Sequence, residues 1–483
     1  MKYHLVILGC QMNHSDAERV QSVMAQMGFG QTDREEDATL IGIIACSVRQ
    51  KAIDKVYSKI AKWNKWKNKR HLITFASGCI LPDDRQKFLK LFDLVFDMKE
   101  LSSLPDMLKQ YGVALPQLMD MDMARPQGIG HREPEPVKVA AKVPDFASFS
   151  PVIPKEKKVE QIDVWDIDPV YHSLFEAFVP IQNGCNKFCT FCAVPYTRGR
   201  EVSRPSGEIL EEISGLVAKG YKSITLLGQN VNSYGLDKKG EELSFAQLLD
   251  EIGAIADGSG NETWIYFTSP HPRDMNREVI ETIARHRSLA KQIHLPLQSG
   301  DDKVLIRMNR KHGMSRYREV VGWINELLPQ AAIFTDIIVG FTGETDEQFH
   351  NTRVAVKEFK YHMAYIAMYS PRPGAASFAW SDDVPHAVKK ERYAVLSADL
   401  AEVAQGHTSK MVGEIHRLLV RGHDKKEGYL TGHNEGKITI RFASDDQSLI
   451  GQFVDVLVEG AGPFSAEGKL VAVETGQKQL VEN

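Results

Sequence analysis

Residues 177–192 read AFVPIQNGCNKFCTFC, an apolar stretch that leads directly into three closely spaced cysteines. The chain has 483 residues and only six cysteines, and half of them fall here as Cys185-x-x-x-Cys189-x-x-Cys192. The residues between them are largely polar, which argues against a buried structural role. Three thiols at such short spacing indicate a metal centre.

Apolar runs of strand length recur along the chain after this segment, with helical stretches between them. They cover residues 177–182, 223–228, 264–267, 292–297, 333–339 and 363–369. Strands that alternate with helices predict a parallel sheet with right-handed crossovers, and six such units predict an open (β/α)6 barrel. The cysteine loop follows the first strand, at the carboxyl edge where α/β folds keep their sites.

The other three cysteines each follow an apolar run in the first eighty residues. They are Cys10, Cys46 and Cys79. Helical patterns after the first two runs predict an open parallel α/β sheet, in which the first helix has a Ser15–Glu18 capping box and ends at Gly28. Cysteines at the ends of parallel strands would converge at one edge of the sheet. The alternative is three ordinary buried cysteines.

The composition fits a globular protein, with 43% hydrophobic and 25% charged residues, and the length predicts two or three domains. The sequence has no long apolar run and its start lacks the features of a signal peptide, so we expect a cytoplasmic protein without a membrane anchor. Thiols stay reduced in that compartment, which favours metal ligands over disulfides. The net charge of −4 means that a nucleic-acid partner would need local basic patches.

The loop of three cysteines has two metal interpretations. Structural zinc usually takes four protein ligands, with its cysteines in C-x-x-C pairs, and no second pair lies nearby. An iron–sulfur cluster is also held by thiolates, commonly four of them. Three thiolates on a four-iron cluster would leave one iron open to a small molecule, so the spacing favours the cluster.

This spacing resembles the signature of the radical S-adenosylmethionine (SAM) enzymes, and the chain as a whole resembles the methylthiotransferase family within them. The stretches that carry the resemblance are GCQMNHSDAE (9–18), ACSVRQKA (45–52), SGC (77–79), GCNKFCTFCAVPYTRGREVSRP (184–205), HLPLQSGDDKVLIRMNRKH (294–312), TDIIVGFTGET (335–345) and YSPRPG (369–374). The resemblance covers nearly the whole chain except residues 113–170.

The resemblance implies four segments. They are a methylthiotransferase domain at 1–112, a linker at 113–170, a radical SAM domain at 171–405 and a small β-barrel of the TRAM type, an RNA-binding module, at 408–475. It also implies two 4Fe–4S clusters, with Cys185, Cys189 and Cys192 holding the radical cluster and the N-terminal trio holding an auxiliary one. One SAM would methylate a sulfur on the auxiliary cluster, and another would yield the radical that abstracts a C–H hydrogen.

Further residues are implied to contact SAM, although each polar one has a helix cap or a turn as its ordinary alternative. They are Gln229, Asn230, Gln298, Ser299, Gly340, Glu344, Tyr369 and Arg372. Thr342 stands where the family pattern has proline, which puts the shape of that loop in doubt.

The implied substrate is tRNA. The stretch LLGQNVNSYG (226–235) is similar to the branch that acts on isopentenyl-adenosine beside the anticodon. The alternatives are threonylcarbamoyl-adenosine in tRNA and an aspartate of a ribosomal protein. The reaction would also need an electron donor and a sulfur source, and we expect a monomer.

Basic residues in two places are candidate RNA contacts: the stretch that begins at residue 307, near the presumed site, and the predicted C-terminal barrel. They are Arg307, Arg310, Lys311 and Arg421. A second basic stretch, residues 59–71, contains Trp63 and Trp66, which either stack on bases or, as we favour, pack against the sheet.

Rivals of another class are a non-catalytic iron–sulfur protein and a zinc RNA-binding protein. A radical SAM methylase without sulfur insertion would not need the N-terminal trio.

Overall fold

The computed structural model describes residues 1–48, 50–113, 165 and 167–471, so most of the predicted linker lies outside the described residues. The chain divides into two compact units. The first contains residues 1–172 together with 193–199, and the second contains 173–192 together with the rest of the chain from residue 200. Among the described residues, no helix combines the length and the apolar character that a membrane crossing requires.

The first unit is built on a five-stranded parallel sheet in the order β2-β1-β3-β4-β5. Its strands are β1 (Lys2–Ile7), β2 (Gly30–Gln31), β3 (Leu40–Cys46), β4 (Ile73–Cys79) and β5 (Leu94–Val95). Its helices are α1 (Gln11–Gln26), α2 (Gln50–Lys67), α3 (Pro82–Phe88), α4 (Leu104–Lys109) and α5 (Val194–Thr197), with 3-10 turns at Glu35–Asp37 and Met98–Ser103. The predicted parallel α/β sheet is confirmed.

Two apolar cores cover the two faces of this sheet. Helix α1 contributes Val20 and Met24 to one core, and α2 contributes Ile60 and Trp63 to the other. Trp63 is fully buried, and Trp66 packs against the same core. The favoured interpretation of the basic stretch is therefore confirmed, because the tryptophans pack against the sheet.

Helix α1 begins earlier than predicted. Its N-cap is Cys10, in extended conformation and without a capping side chain, so Ser15 and Glu18 lie inside the helix. The predicted capping box is therefore wrong, and the Ser15 hydroxyl instead accepts a hydrogen bond from Arg19 at 2.8 Å. The predicted end is confirmed, since the helix stops at Gln26 and Gly28 takes a φ of +76°.

The second unit begins with six parallel strands that alternate with helices. The strands are β6 (Glu176–Pro180), β9 (Ser223–Leu227), β10 (Trp264–Phe267), β11 (Gln292–His294), β12 (Ala332–Val339) and β13 (Met363–Met368), and a short antiparallel pair, β7 (Gln182–Asn183) and β8 (Val202–Ser203), follows β6. The helices are α6 (Ser206–Ala218), α7 (Phe245–Gly258), α8 (Arg277–Arg285), α9 (Asp302–Arg307), α10 (Met314–Leu327), α11 (Asp346–Phe359) and α12 (His386–Thr408). Short 3-10 turns lie at Val231–Ser233, Leu236–Lys238 and Ala376–Ala379.

These six strands form two three-stranded sheets, β10-β9-β6 and β11-β12-β13. A single parallel bridge between Ile265 and Leu289 links β10 to the segment that precedes β11. All six predicted strands are present and all their pairings are parallel, as expected for an open barrel.

The second unit ends in a closed five-stranded barrel of order β14-β15-β16-β18-β17. Its elements are β14 (Ile415–His423), β15 (Tyr429–His433), β16 (Thr439–Ala443), β17 (Phe453–Gly462) and β18 (Ser465–Leu470), with 3-10 turns at Ser409–Met411 and Gln447–Leu449. The barrel is fixed to the six-strand region by ion pairs Arg417–Glu262 and Arg421–Glu176. The ring of Phe453 packs edge-on against Trp264 in the same interface.

Candidate metal centres

The N-terminal cysteine trio lies at the carboxyl edge of the first sheet. Cys46 and Cys79 are the last residues of β3 and β4, and they are direct partners in the parallel register. Cys10 stands between the end of β1 and the start of α1, and β1 pairs with the other side of β3. The expectation that these cysteines share one edge is confirmed, because they follow three neighbouring strands.

Asn13 connects two of these cysteines to the backbone around them. Its Oδ1 lies 3.9 Å from the Cys10 Sγ and 3.6 Å from the Cys79 Sγ, so either thiol can donate to it. Its Nδ2 donates to the carbonyls of Leu8 and Ala45, both at 2.8 Å. The sequence prediction missed this residue, although it stands three positions after Cys10 on the first turn of α1.

A buried arginine also reaches the trio. The Nε of Arg198 donates to the Cys79 Sγ at 2.8 Å, and its two terminal nitrogens donate to the Asp16 carboxylate. The arginine and aspartate side chains are only 6% and 8% exposed. Neither residue was predicted, although both lie in stretches that carry the family resemblance.

The backbone before Cys79 is unusual. Gly78 has a φ of +102°, and a Cβ there would lie 2.7 Å from the Ala45 carbonyl oxygen, so neighbouring strands leave no room for a side chain. The same order of residues recurs in the second unit, where Gly184 has a φ of +80° directly before Cys185. These positive φ values set the direction in which the chain presents the following cysteine.

Burial disfavours the charged form of one thiol in each trio, Cys79 and Cys185. It raises the pKa of Cys79 to about 12, against the lowering effect of Arg198. It also raises the pKa of Cys185 to about 11. Iron binds thiolates, so loading either trio would release protons.

The second trio lies on one loop of the second unit, after β7. Cys185 and Cys189 are each 9% exposed, and the backbone N–H of Cys192 donates to the Cys189 carbonyl at 3.0 Å. Phe188 has a φ of +48°, which tightens the turn before Cys189. A local loop thus replaces the sheet edge that gathers the first trio.

The segment 307–310 supports this loop. Arg310 is 5% exposed, and its terminal nitrogens donate to the Cys189 Sγ at 3.5 Å and to the Pro296 carbonyl at 2.9 Å. Asn309 donates to the Phe188 carbonyl at 2.9 Å. Arg310 was predicted to contact RNA, and this is corrected: a guanidinium buried against a cysteine and a carbonyl is not offered to a phosphate.

The other candidate RNA contacts differ in what they offer to solvent. Lys311 is exposed. Arg307 donates to the Gln348 side chain at 2.9 Å, and Arg421 makes a two-pronged ion pair with Glu176 while it stays 33% exposed. Of these three residues, Lys311 is the one that is classed as exposed, and the other two are partly buried and paired within the protein.

In the part of the chain that the structure describes, no group of three or more His, Cys, Asp or Glu side chains is set up to hold a single metal ion. Thiolates of a 4Fe–4S cluster bind different iron atoms and are therefore further apart than the ligands of one zinc ion. The absence of a single-ion site among the described residues therefore does not bear on a cluster held by three separate thiolates.

Four predicted SAM contacts lie at the ends of β9 and β11. The Gln229 Oε1 accepts from the backbone N–H of Gly184, which joins this strand end to the cysteine loop. Asn230 is 1% exposed, and its Oδ1 has no hydrogen-bond partner among the described residues. Gln298 holds a φ of +74°, and Ser299 is fully buried beside Thr352.

The predicted adenosine loop follows β12. The Glu344 Oε2 accepts from the Gly340 N–H at 2.7 Å and from Arg392 at 2.8 Å, while its Oε1 has no partner among the described residues. Burial raises the pKa of Glu344 above its ordinary value. The Thr342 hydroxyl, at the position where proline was expected, is likewise a buried group without a hydrogen-bond partner in the described structure.

The last two predicted SAM contacts follow β13. The Tyr369 hydroxyl donates to the Ser377 Oγ at 2.8 Å and the ring is 5% exposed, so its polar end is already paired. Arg372 is half-buried. The structure thus places all eight predicted residues at or just after the carboxyl ends of barrel strands.

Comparison with known proteins assigns the class first. A model of the radical SAM superfamily matches residues 179–354, and a TRAM domain model matches residues 409–471. A third model, described as uncharacterized protein family UPF0004, matches residues 2–97. The chain is a radical SAM enzyme with a C-terminal TRAM barrel.

Curated relatives assign the family. The tRNA-2-methylthio-N(6)-dimethylallyladenosine synthase of Marinomonas sp. is 35% identical over 96% of both chains, and that of Treponema denticola is 36% identical over 94% of this chain and 96% of its own. The chain belongs to the family of tRNA-2-methylthio-N(6)-dimethylallyladenosine synthases. The predicted family, enzyme class and cofactors, SAM and two 4Fe–4S clusters, are confirmed.

Among solved structures, the radical SAM methyltransferase TsrM of Kitasatospora setae has a TM-score of 0.49 and 11% sequence identity. The match covers 78% of this chain and 74% of that chain.

Proposed function

We propose that this chain adds a methylthio group to the adenine ring of isopentenyl-adenosine, also called dimethylallyladenosine, next to the anticodon of tRNA. One observation carries the proposal beyond the family name: three N-terminal cysteines, distant in sequence, follow three neighbouring strands at one edge of a sheet. A radical SAM methylase without sulfur insertion has no need for this N-terminal trio.

The six cysteines fit two 4Fe–4S clusters. We assign Cys10, Cys46 and Cys79 to the auxiliary cluster, and Cys185, Cys189 and Cys192 to the radical cluster. Each trio supplies three thiols, one fewer than the usual four, and the first has nearby donors that suit a thiolate. When bound, the radical cluster and SAM supply a deoxyadenosyl radical, and the auxiliary cluster supplies the sulfur.

The chain's own residues hold these groups in place and exclude water. Asn13 fixes the start of α1 against the ends of β1 and β3, which sets the position of Cys10. Gln229 and Arg310 hold the second cysteine loop against strand ends of the barrel. When cofactors carry out the chemistry, the protein contributes by positioning the reacting groups and by excluding water from them.

We assign SAM to the carboxyl ends of the barrel strands. Two buried oxygens that have no hydrogen-bond partner among the described residues support this assignment, the Oδ1 of Asn230 and the Oε1 of Glu344. A buried acceptor that lacks a partner costs free energy unless a ligand satisfies it. The remaining contacts are proposed at Gln229, Gln298, Ser299, Gly340, Tyr369 and Arg372.

For tRNA we propose the TRAM barrel together with Lys311 as phosphate contacts, with Arg307 and Arg421 as contributors that must share their charge with protein partners. We further propose the domain limits 1–112, 171–405 and 408–475 with a linker between the first two. A monomer in the cytoplasm, an external electron donor and a sulfur source complete the proposal.

Mass spectrometry of tRNA nucleosides from cells with and without the gene tests the substrate. Loss of methylthio-isopentenyl-adenosine, with accumulation of its unthiolated precursor, is the expected result. Complementation with the Cys79→Ala variant is the matched control, and it should fail to restore the product. A changed threonylcarbamoyl-adenosine derivative, or an unchanged tRNA profile beside an altered ribosomal aspartate, would refute the proposed substrate.

A further inference from the structure

Arg198 donates hydrogen bonds to Cys79, Asp16 and Asn13, all in the first unit. Its Nε donates to the Cys79 Sγ at 2.8 Å, while both terminal nitrogens donate to Asp16. One terminal nitrogen also lies 3.4 Å from the Asn13 Oδ1. A cationic N–H is therefore aimed directly at one sulfur of the N-terminal trio, and a carboxylate stands behind it.

Stability of the fold does not account for this arrangement. A buried ion pair pays a desolvation cost that often equals its Coulombic gain, and apolar residues of similar volume would serve the core as well. The pair stands beside a thiol and not within an apolar layer. Donors in this position around a metal centre set ligand orientation and the electronic properties of the centre.

We propose that Arg198 is a positioning residue that tunes the auxiliary cluster, by donating a charged hydrogen bond to the Cys79 sulfur, and that Asp16 sets the strength of this effect. The inference rests on the proposed function, because it assumes that Cys79 is a cluster ligand. Hydrogen bonds to sulfur and nearby charge are the protein's means of setting the reduction potential of such clusters.

The sign of the effect follows from electrostatics. Reduction adds negative charge to the cluster, so a cationic donor at its sulfur favours the reduced form and raises the potential. The Asp16 carboxylate opposes that cation. Removing Arg198 should therefore lower the potential, and removing the Asp16 charge should raise it.

The experiment uses the full-length chain with Cys185, Cys189 and Cys192 replaced by alanine, so that the auxiliary cluster is the one measured. In this background, the midpoint potential is determined by redox titration followed with electron paramagnetic resonance. Arg198→Gln should shift it to more negative values and Asp16→Asn to more positive values. Asp16→Asn keeps an acceptor for the guanidinium, so it changes the charge while it retains the geometry.

Two further variants separate tuning from structural support. Arg198→Lys keeps the charge and should shift the potential less than Arg198→Gln. Arg85→Gln removes one side of another ion pair in the same unit, Arg85–Asp97, and should leave the potential unchanged. If Arg198→Gln retains no cluster, the test passes to Asp16→Asn, whose potential must still rise.

Shifts of the same sign in Arg198→Gln and Asp16→Asn, or unchanged potentials at full iron content, would overturn the inference. Failure of the proposed function looks different: the parent protein, with alanine at the three radical-cluster cysteines, would hold no cluster at all. The two failures are therefore distinguished by the iron content of the parent before any potential is compared.

Discussion

The two cysteine trios of this enzyme are gathered by different physical means. The first depends on long-range pairing, since Cys46 and Cys79 meet only because β3 and β4 are in register. The second lies on one loop in which the Cys192 N–H bonds the Cys189 carbonyl. A substitution that disturbs the pairing of the first sheet should therefore affect the first trio. The second trio should instead depend on its own loop and on the residues that contact that loop.

The two trios also differ in their electrostatic surroundings. Arg198 at the first trio is paired with a buried carboxylate, Asp16. Arg310 at the second trio contacts a thiol and a carbonyl. Burial lowers the pKa of His312 to about 3, and the positive charge of Arg310 is the second cause of this shift. The first cation is thus compensated by its own counter-ion, and the second contributes more of its charge to its surroundings.

Removing one cysteine from each trio is the strongest test of the comparison. Cys79→Ala should reduce the iron from about eight to about four per chain, because one of two four-iron clusters is lost. Product formation should cease while deoxyadenosine is still released from SAM. Cys189→Ala should abolish both product formation and deoxyadenosine release. Loss of deoxyadenosine release in Cys79→Ala would show that the two trios are not independent.

Replacing the arginine that supports the second trio should have the next largest effect. Arg310→Met removes the donor to Cys189 and leaves the Pro296 carbonyl without that bond. Loss of a residue that supports a metal ligand typically costs roughly 10–100-fold in affinity or activity. We expect that loss in the rate of SAM cleavage, with the auxiliary cluster intact by spectroscopy, and equal damage to both clusters would contradict the comparison.

Much of the fold followed from sequence because its signals are local. Six apolar runs with helical stretches between them predicted the barrel strands. Three other apolar runs, in the first eighty residues, predicted the parallel sheet of the first unit. The start of α1 was missed because Cys10 caps the helix without any side-chain bond, so no capping residue marked it. Ser15 and Glu18 matched the capping pattern by chance.

The position of the cysteines was predicted because cysteine is a chemically distinctive residue, whereas the residues that contact them were missed because only the folded geometry identifies them. Cysteines are rare in this chain, so six of them pointed to ligands. Asn13, Asp16 and Arg198 are ordinary residue types, and their role depends on contacts across long stretches of sequence. Arg310 was misassigned because a basic stretch predicts a charged surface but cannot tell which arginine turns inward.

Substitution of Gly78 tests whether backbone geometry at the sheet edge holds the first trio. Gly78→Ala would force a side chain into a φ of +102° and against the Ala45 carbonyl, at a cost of about 2 kcal/mol. We expect weaker retention of the auxiliary cluster during gel filtration, with the radical cluster unaffected. Gly30→Ala is the control, because a Cβ there meets nothing within 4 Å, and equal losses in both variants would remove the special role of Gly78.

The smallest expected effect concerns the layer behind the first sheet. Glu35 accepts hydrogen bonds from Lys59, Lys62 and Trp63, which ties a short turn to α2. Burial alone would raise the pKa of Glu35, but these donors lower it to about 2 from an ordinary 4.5. Because the folded-state pKa is lowered, the stabilisation is present above pH 4.5 and is lost as the pH falls from 4.5 towards 2.

Glu35→Gln should therefore lower the stability of the first unit by about 1–2 kcal/mol at neutral pH. The difference from the unsubstituted protein should shrink as the pH falls below 4.5, since the native carboxylate then becomes protonated. Amide hydrogen exchange in α2 of the iron-free protein measures it, with the helices of the second unit as an internal control. If exchange accelerates equally in both units, the effect of the substitution is not confined to the first unit. That result would contradict the comparison, because a change beside the first sheet would then also destabilise the unit that carries the second trio.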